Sequence, residues 1–120
     1  MQRFDDFNQR ETNQFSFLRV PKKLFDKEFS TLPCEAKFLY GLLLDRMSLS
    51  TESGWRDEKN RIYIIYPVTE MGEALGRKDS FVYALLETLE STGLIERKRQ
   101  GAGKPTLIYL KNIFRSDPNP

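Results

Sequence analysis

The chain opens polar and stays so through residue 13, with Phe4 and Phe7 as the only apolar anchors. The first regular pattern is Phe15-Ser16-Phe17-Leu18-Arg19-Val20. Phe15, Phe17 and Arg19 share one face of this alternating run, which predicts a short strand ended by Pro21. Leu24, Phe25 and Phe29 then recur at helical spacing and predict a short helix over 22–29 with all three turned inward. Ser30-Thr31-Leu32-Pro33 is a helix start, with hydroxyl residues ahead of a proline in the first turn. From Pro33 to Ser48 the residues Ala36, Leu39, Tyr40, Leu43 and Met47 follow the i, i+3, i+4 series, and Phe38, Leu42 and Leu44 widen the arc. Such a helix is buried from two sides, or it shares a face with another subunit. Gly41 inside it costs about 1 kcal/mol relative to alanine, which a close approach of another backbone would offset.

Leu49 to Gly54 reads as a loop. Trp55–Asp57 and Arg61–Tyr66 read as two strands joined at Glu58-Lys59-Asn60, because asparagine tolerates the left-handed turn conformation. Ile62, Ile64 and Tyr66 face one way, and Tyr63 and Ile65 the other. Both faces are apolar, so this strand is expected to be central or well covered. Pro67 starts a helix over Val68–Leu75 with Val68, Met71 and Leu75 inward, and Gly76 ends it at the position glycine favours. Asp79 or Ser80 caps a second helix that reaches about Ser91 on the stripe Val82, Leu85, Leu86 and Leu89. Gly93 ends that helix. Leu94–Arg99 and Thr106–Lys111 are strands around a tip made by Gly101, Gly103 and Pro105. Helix, tight turn, helix and hairpin in that order predict an α+β fold, mainly helical with small antiparallel hairpins: a winged helix-turn-helix. The expected organisation is a flexible arm over 1–13, the winged-helix domain over 14–114, and over 115–120 the start of a linker to an absent C-terminal domain.

A chain of 120 residues supports one core. No apolar run approaches the ~20 residues that span a bilayer, and the polar start is no secretory signal. The single Cys34, read as a small buried residue, excludes an internal disulfide and fits a reducing cytoplasm. Net charge is only +2, but its distribution is uneven: 11 Lys/Arg against 12 Asp/Glu in residues 1–75, and 8 against 5 in residues 76–120. Arg97, Lys98, Arg99 and Lys104 form a concentrated patch that attracts phosphates whatever the total.

These features make the second helix of the pair a candidate reader of a DNA major groove through its first two turns. Arg77 and Lys78 precede it. Ser80, Tyr83 and Ala84 point away from its apolar stripe, and Phe81 lies at the boundary, as core or as a contact to a thymine methyl. Small residues allow close approach, and Tyr83 can donate to a phosphate. In the hairpin, Arg97, Lys98, Arg99, Gln100 and Lys104 are the candidate backbone contacts. If about five cations each neutralise a phosphate, log K falls with log salt at a slope of roughly −4 to −5.

No catalytic site is expected. The chain has no histidine, and one cysteine without histidine is a poor nucleophile. Asp5-Asp6 and Asp57-Glu58 are adjacent pairs whose side chains diverge. Gly101-Ala102-Gly103-Lys104-Pro105 lacks the spacing and the following Ser/Thr of a phosphate loop. No cofactor and no metal are expected.

The longest strings also resemble a known family. Ala36-Lys37-Phe38-Leu39-Tyr40-Gly41-Leu42-Leu43-Leu44-Asp45-Arg46-Met47-Ser48-Leu49-Ser50 is similar to a signature of the N-terminal domain of replication initiator protein A from plasmids of low-GC Gram-positive bacteria. So are Trp55-x-Asp57-Glu58 with Arg61-Ile62-Tyr63-Ile64-Ile65, the string Gly93 to Pro105, and the start Phe15-x-Phe17-x-x-Val20-Pro21-Lys22-x-Leu24-Phe25. The resemblance spans about residues 4–114. It implies a winged helix that binds double-stranded DNA at plasmid origin repeats, as a homodimer, and that reaches host replication proteins through a C-terminal domain. It departs at Pro67, where threonine is expected, and at Gly76-Arg77-Lys78-Asp79-Ser80, which bears on which sequence is read. Two other functions fit the residues: a winged-helix transcriptional regulator, and a protein-interaction module of the replication machinery.

Overall fold

The computed structural model describes residues 3–7, 15–53 and 55–114, with 49–53 defined by backbone alone. Two 3-10 turns, Lys22–Phe25 and Lys27–Phe29, lead into helix α1 (Cys34–Ser53). Helices α2 (Val68–Leu75) and α3 (Asp79–Ser91) follow, then strands β1 (Ile95–Lys98) and β2 (Leu107–Leu110). The strands pair antiparallel, from Ile95 opposite Leu110 to Lys98 opposite Leu107. Ile64 joins the free side of β2 and exchanges backbone hydrogen bonds with Ile108 at 2.9 and 3.0 Å. Arg56 and Ile62 make one more antiparallel bridge, and Asn60 turns the intervening loop with φ 62°. Segment 62–64 therefore runs between β2 and segment 55–57, the covered place that its two apolar faces predict, but through single bridges and not as the two expected strands Trp55–Asp57 and Arg61–Tyr66. Trp55 stacks on Tyr63 there, with ring centroids 6.3 Å apart.

The three helices close on one another through the stripe that α3 carries. Val82, Leu85, Leu86 and Leu89 are all buried, with Leu39 and Leu43 of α1, Met71 of α2, and Ile64, Ile95 and Ile108 of the sheet. Each such side chain contributes roughly 1.5–3 kcal/mol of burial, which makes this cluster the main stabilising term. Gly41 of α1 meets the expected close approach. A Cβ there would lie 2.9 Å from Val20 Cγ2 and 3.1 Å from the Arg19 carbonyl oxygen.

Several expectations need correction. Segment 15–20 is not a strand, because among the described residues no strand offers it a ladder. Phe15 and Phe17 are exposed and contact each other, Phe15 also meets Phe7, and Val20 rests on α1. The 22–29 helix breaks into two turns at Asp26, whose ψ of 161° is extended. Leu24 is buried, but Phe25 points out and carries the Lys37 ammonium 4.7 Å over its ring. Helix α1 continues to Ser53 and does not stop at Ser48, since no glycine or proline intervenes before Gly54. Phe38 on α1 is 53% exposed, so its widened apolar arc is covered only in part. Cys34 is exposed at the first position of that helix, not buried. The remainder of the expected N-terminal arm (1–2 and 8–13), Gln14 at the start of the expected domain, and the expected linker (115–120) lie outside the described residues. Among the described residues no helix is long and apolar enough to cross a membrane.

Candidate nucleic-acid interface

The turn between α2 and α3 is held at Gly72. Gly76 takes the left-handed conformation (φ 68°, ψ 35°) and donates its N–H to the Gly72 carbonyl. The Arg77 N–H donates to the same oxygen at 2.9 Å. Both bonds draw the turn down onto α2, and glycine at 72 makes the room. A Cβ there would lie 2.6 Å from the Arg77 carbonyl oxygen. Gly72 is marked in the sequence only as a glycine four residues ahead of a glycine cap, inside an eight-residue helix. The N-cap of helix α3 lies one residue ahead of the first expected cap, Asp79. Lys78 is its N-cap, without a side-chain capping bond, and Asp79 and Ser80 lie within the first turn. A carboxylate in that turn still favours the helix dipole.

All six candidates on this element are exposed: Arg77, Lys78, Ser80, Phe81, Tyr83 and Ala84. Phe81 is 37% exposed, so it belongs to the surface as much as to the core. Arg77 is not a free cation. Its Nε and Nη2 donate to the two carboxylate oxygens of Glu35 on α1 at 2.7 and 3.2 Å. Its guanidinium carbon stands 4.6 Å from the centre of the Phe81 ring.

The hairpin divides its charges. Arg97 turns back to Glu90 of α3, with its Nε 2.8 Å from Oε1 and its backbone N–H 3.2 Å from Oε2. Its side chain is only 15% exposed. The side-chain hydrogen bond from Arg97 comes first among the causes that hold the Glu90 carboxyl below its ordinary range. Lys98, Arg99 and Lys104 are exposed. Gln100 spans the tip, donating from Nε2 to the Pro105 carbonyl at 2.7 Å, and Gly101 and Gly103 take φ of 114° and 79° there. The far edge of the sheet is anchored through Tyr109, whose hydroxyl donates to Asp57 Oδ2 at 3.0 Å. Desolvation alone would raise the Asp57 carboxyl. Hydrogen bonds from the Arg61 backbone, the Tyr109 hydroxyl, the Arg61 side chain and the Lys59 backbone outweigh it and hold the group at about 2.

Between α3 and the hairpin runs a groove of about 630 Å³. Tyr83 lines it from the helix, Arg97, Arg99 and Lys104 from the hairpin, and Tyr66 and Pro67 belong to the segment leading into α2. The fold thus gathers four of the sequence candidates along one channel. Arg77 and Phe81 form a separate cluster with Glu35, while Lys98 and Gln100 do not line the groove. Glu35 and Glu90 were missed as partners. Glu35 is 42 residues from Arg77 in sequence, beyond the reach of any local pattern.

Known proteins bear on this geometry. One solved structure, described as the N-terminal domain of a DNA-binding protein, is 31% identical with a TM-score of 0.72, covering 92% of this chain and 85% of that one. A structure described as a Rep–DNA complex is 30% identical with a TM-score of 0.74, covering 94% and 88%. A third, described as an MDR initiator, is 28% identical with a TM-score of 0.70, covering 90% and 86%. No curated protein matches the chain. The model of the replication initiator protein A N-terminus matches residues 16–119. With its helix pair, left-handed glycine turn and hairpin in the winged helix-turn-helix order, the chain belongs to the replication initiator protein A N-terminal family.

Proposed function

We propose that this domain binds double-stranded DNA at a plasmid replication origin and so serves replication initiation, with α3 in the major groove and the hairpin on the backbone. The observation that carries this reading is the groove between Tyr83 and the cations Arg99 and Lys104, beside the exposed first turn of α3. A helix start supplies amides and small side chains to base edges, and a basic hairpin supplies phosphate contacts. The solved Rep–DNA complex, a relative of similar fold, supports the same assignment. Because Glu35 and Glu90 already pair with Arg77 and Arg97, the cations open to phosphate are Lys78, Lys98, Arg99 and Lys104. Four such contacts lower the expected salt slope to about −3 to −4. Titrating a labelled pool of random duplexes with the chain over a range of salt tests the reading. Binding that does not respond to salt would overturn it.

The role is binding and not catalysis on this reading, in a chain without histidine. Among the described residues there is also no cluster of His, Cys, Asp and Glu that could hold a metal. A homodimer on repeated sites accompanies it, supported by the uncovered Phe38 of α1 and the exposed aromatic residues ahead of it. A monomeric mass at tens of micromolar, without and with a two-site duplex, would overturn that part. Contacts with host replication proteins are assigned to a separate C-terminal domain, and the site of action to the cytoplasm.

A further inference from the structure

We propose that Glu35 is a positioning residue for sequence reading: it locks Arg77 so that the outer fork of the guanidinium meets a guanine. The inference rests on the DNA-binding reading above and deepens it.

A guanidinium has five N–H donors in one plane. Glu35 engages the side edge, Nε–H and one Nη2–H. Phe81 covers one face at 4.6 Å. The backbone on which the side chain stands is itself fixed, through the 2.9 Å bond from Arg77 N–H to Gly72 and the tight contact of Gly72 with the Arg77 carbonyl. What remains is the end of the fork, one hydrogen on each Nη pointing the same way. The Arg77 side chain is 48% exposed, so this end is open to a ligand. Two parallel donors at that spacing match the O6 and N7 acceptors of guanine in the major groove.

A phosphate also accepts such a fork, but the charge argues for the base. Arg77 and Glu35 together are neutral, and a carboxylate beside the site repels a fully charged phosphate far more than the partial charges of a neutral base edge. Exposed Lys78, the next residue, carries an unopposed charge for the backbone. A long side chain held at its base, its edge and its face also loses little rotamer freedom on binding.

The test starts from sequence selection on a random duplex pool by the unmodified chain, Glu35→Gln, Arg77→Ala and the double variant. The unmodified chain should require guanine at one position. Glu35→Gln should relax that requirement on the order of 10-fold while holding or raising affinity for duplexes that lack the guanine. Arg77→Ala should abolish the requirement, and the double variant should match Arg77→Ala. Replacing that guanine by 7-deazaguanine, which lacks the N7 acceptor, should weaken the unmodified chain and leave Arg77→Ala unmoved. Unfolding curves of the variants separate a reading defect from a folding defect, and Glu35→Asp, which keeps the charge but shortens the reach, should fall between. An unchanged preference in Glu35→Gln overturns the inference. So does an equal loss on every duplex in Arg77→Ala with the salt slope reduced by about one, which would make Arg77 a phosphate contact. If the unmodified chain binds no duplex in a salt-dependent way, the DNA-binding reading fails first and this inference with it.

Discussion

The turn before α3 and the first strand of the hairpin each carry an arginine held by a glutamate, and the two pairs do different work. Arg97 lies 15% exposed against Glu90, and the same carboxylate also takes its backbone N–H, so this pair fixes the hairpin to α3. Arg77 lies 48% exposed against Glu35, over an aromatic ring. One chemical unit is thus a clamp where it is half-buried and a presented group where it is not. Counting basic residues in a DNA-binding sequence misses that distinction. Of the eight Lys/Arg in residues 76–120, two are already matched by these glutamates.

The largest expected effect tests the hairpin as a backbone contact. Replacing Lys98, Arg99 and Lys104 together with alanine should weaken binding to all duplexes about 100-fold near 0.15 M salt, and flatten the salt slope by roughly 2.7. Fluorescence anisotropy across a salt series reads both. A loss confined to one sequence would move base reading to the hairpin and break the contrast drawn here.

Gly72→Ala comes next. The new Cβ would press on the Arg77 carbonyl oxygen from 2.6 Å, a backbone atom that cannot turn aside. Stability should fall by about 1–3 kcal/mol as the turn shifts, measured by urea denaturation. The preference of the variant for its selected sequence should fall more than its affinity for random duplexes. Stability and preference both unchanged would mean that α2 does not set the position of Arg77.

Much of this arrangement is legible in sequence because it is local. The stripe Val82, Leu85, Leu86 and Leu89, the glycine stops at 76 and 93, and the tight approach at Gly41 all follow from spacing or from one residue's conformational needs. What escapes is long-range or depends on a missing neighbour. Segment 15–20 alternates like a strand, but a strand also needs a ladder beside it. Alternation places Arg97 and Arg99 on one face of the hairpin, yet says nothing of Glu90 on α3, which takes hydrogen bonds from Arg97 and feels Arg99 through its charge. Glu35 lies in a helix whose pattern reads as core or as a subunit face, and only folding brings it to Arg77.

The two arginines should also separate in stability. Arg97→Ala should cost about 1–2 kcal/mol, because it removes a side chain only 15% exposed together with its charge-assisted hydrogen bond to Glu90. Arg77→Ala, at an exposed pair, should cost under about 1 kcal/mol. Urea midpoints of the two variants give the comparison directly. Equal losses would mean that exposure does not distinguish the pairs.

The smallest effect sharpens the hairpin's half of the contrast through pH. Glu90 and Asp57 both have carboxyls held below their ordinary range, Asp57 at about 2. An unfolded glutamate titrates near 4.3 and an unfolded aspartate near 3.9. A folded-state value below the unfolded one means that the stabilisation is fully present above the unfolded value. It is lost as pH falls through the folded value. The urea midpoint should therefore be flat above about pH 5 and decline toward pH 2. Glu90→Gln should start lower at neutral pH and decline less steeply, and adding Asp57→Asn should flatten the curve further. Both carboxylates brace the sheet, one through Arg97 on β1 and one through Tyr109 on β2. Acid should accordingly lower the protection factors of these strands, taken against the intrinsic amide rate at each pH, before it lowers those of α3. Protection lost in α3 first would place the weak point in the helix, and the hairpin would then be held by its apolar side chains and not by its carboxylates.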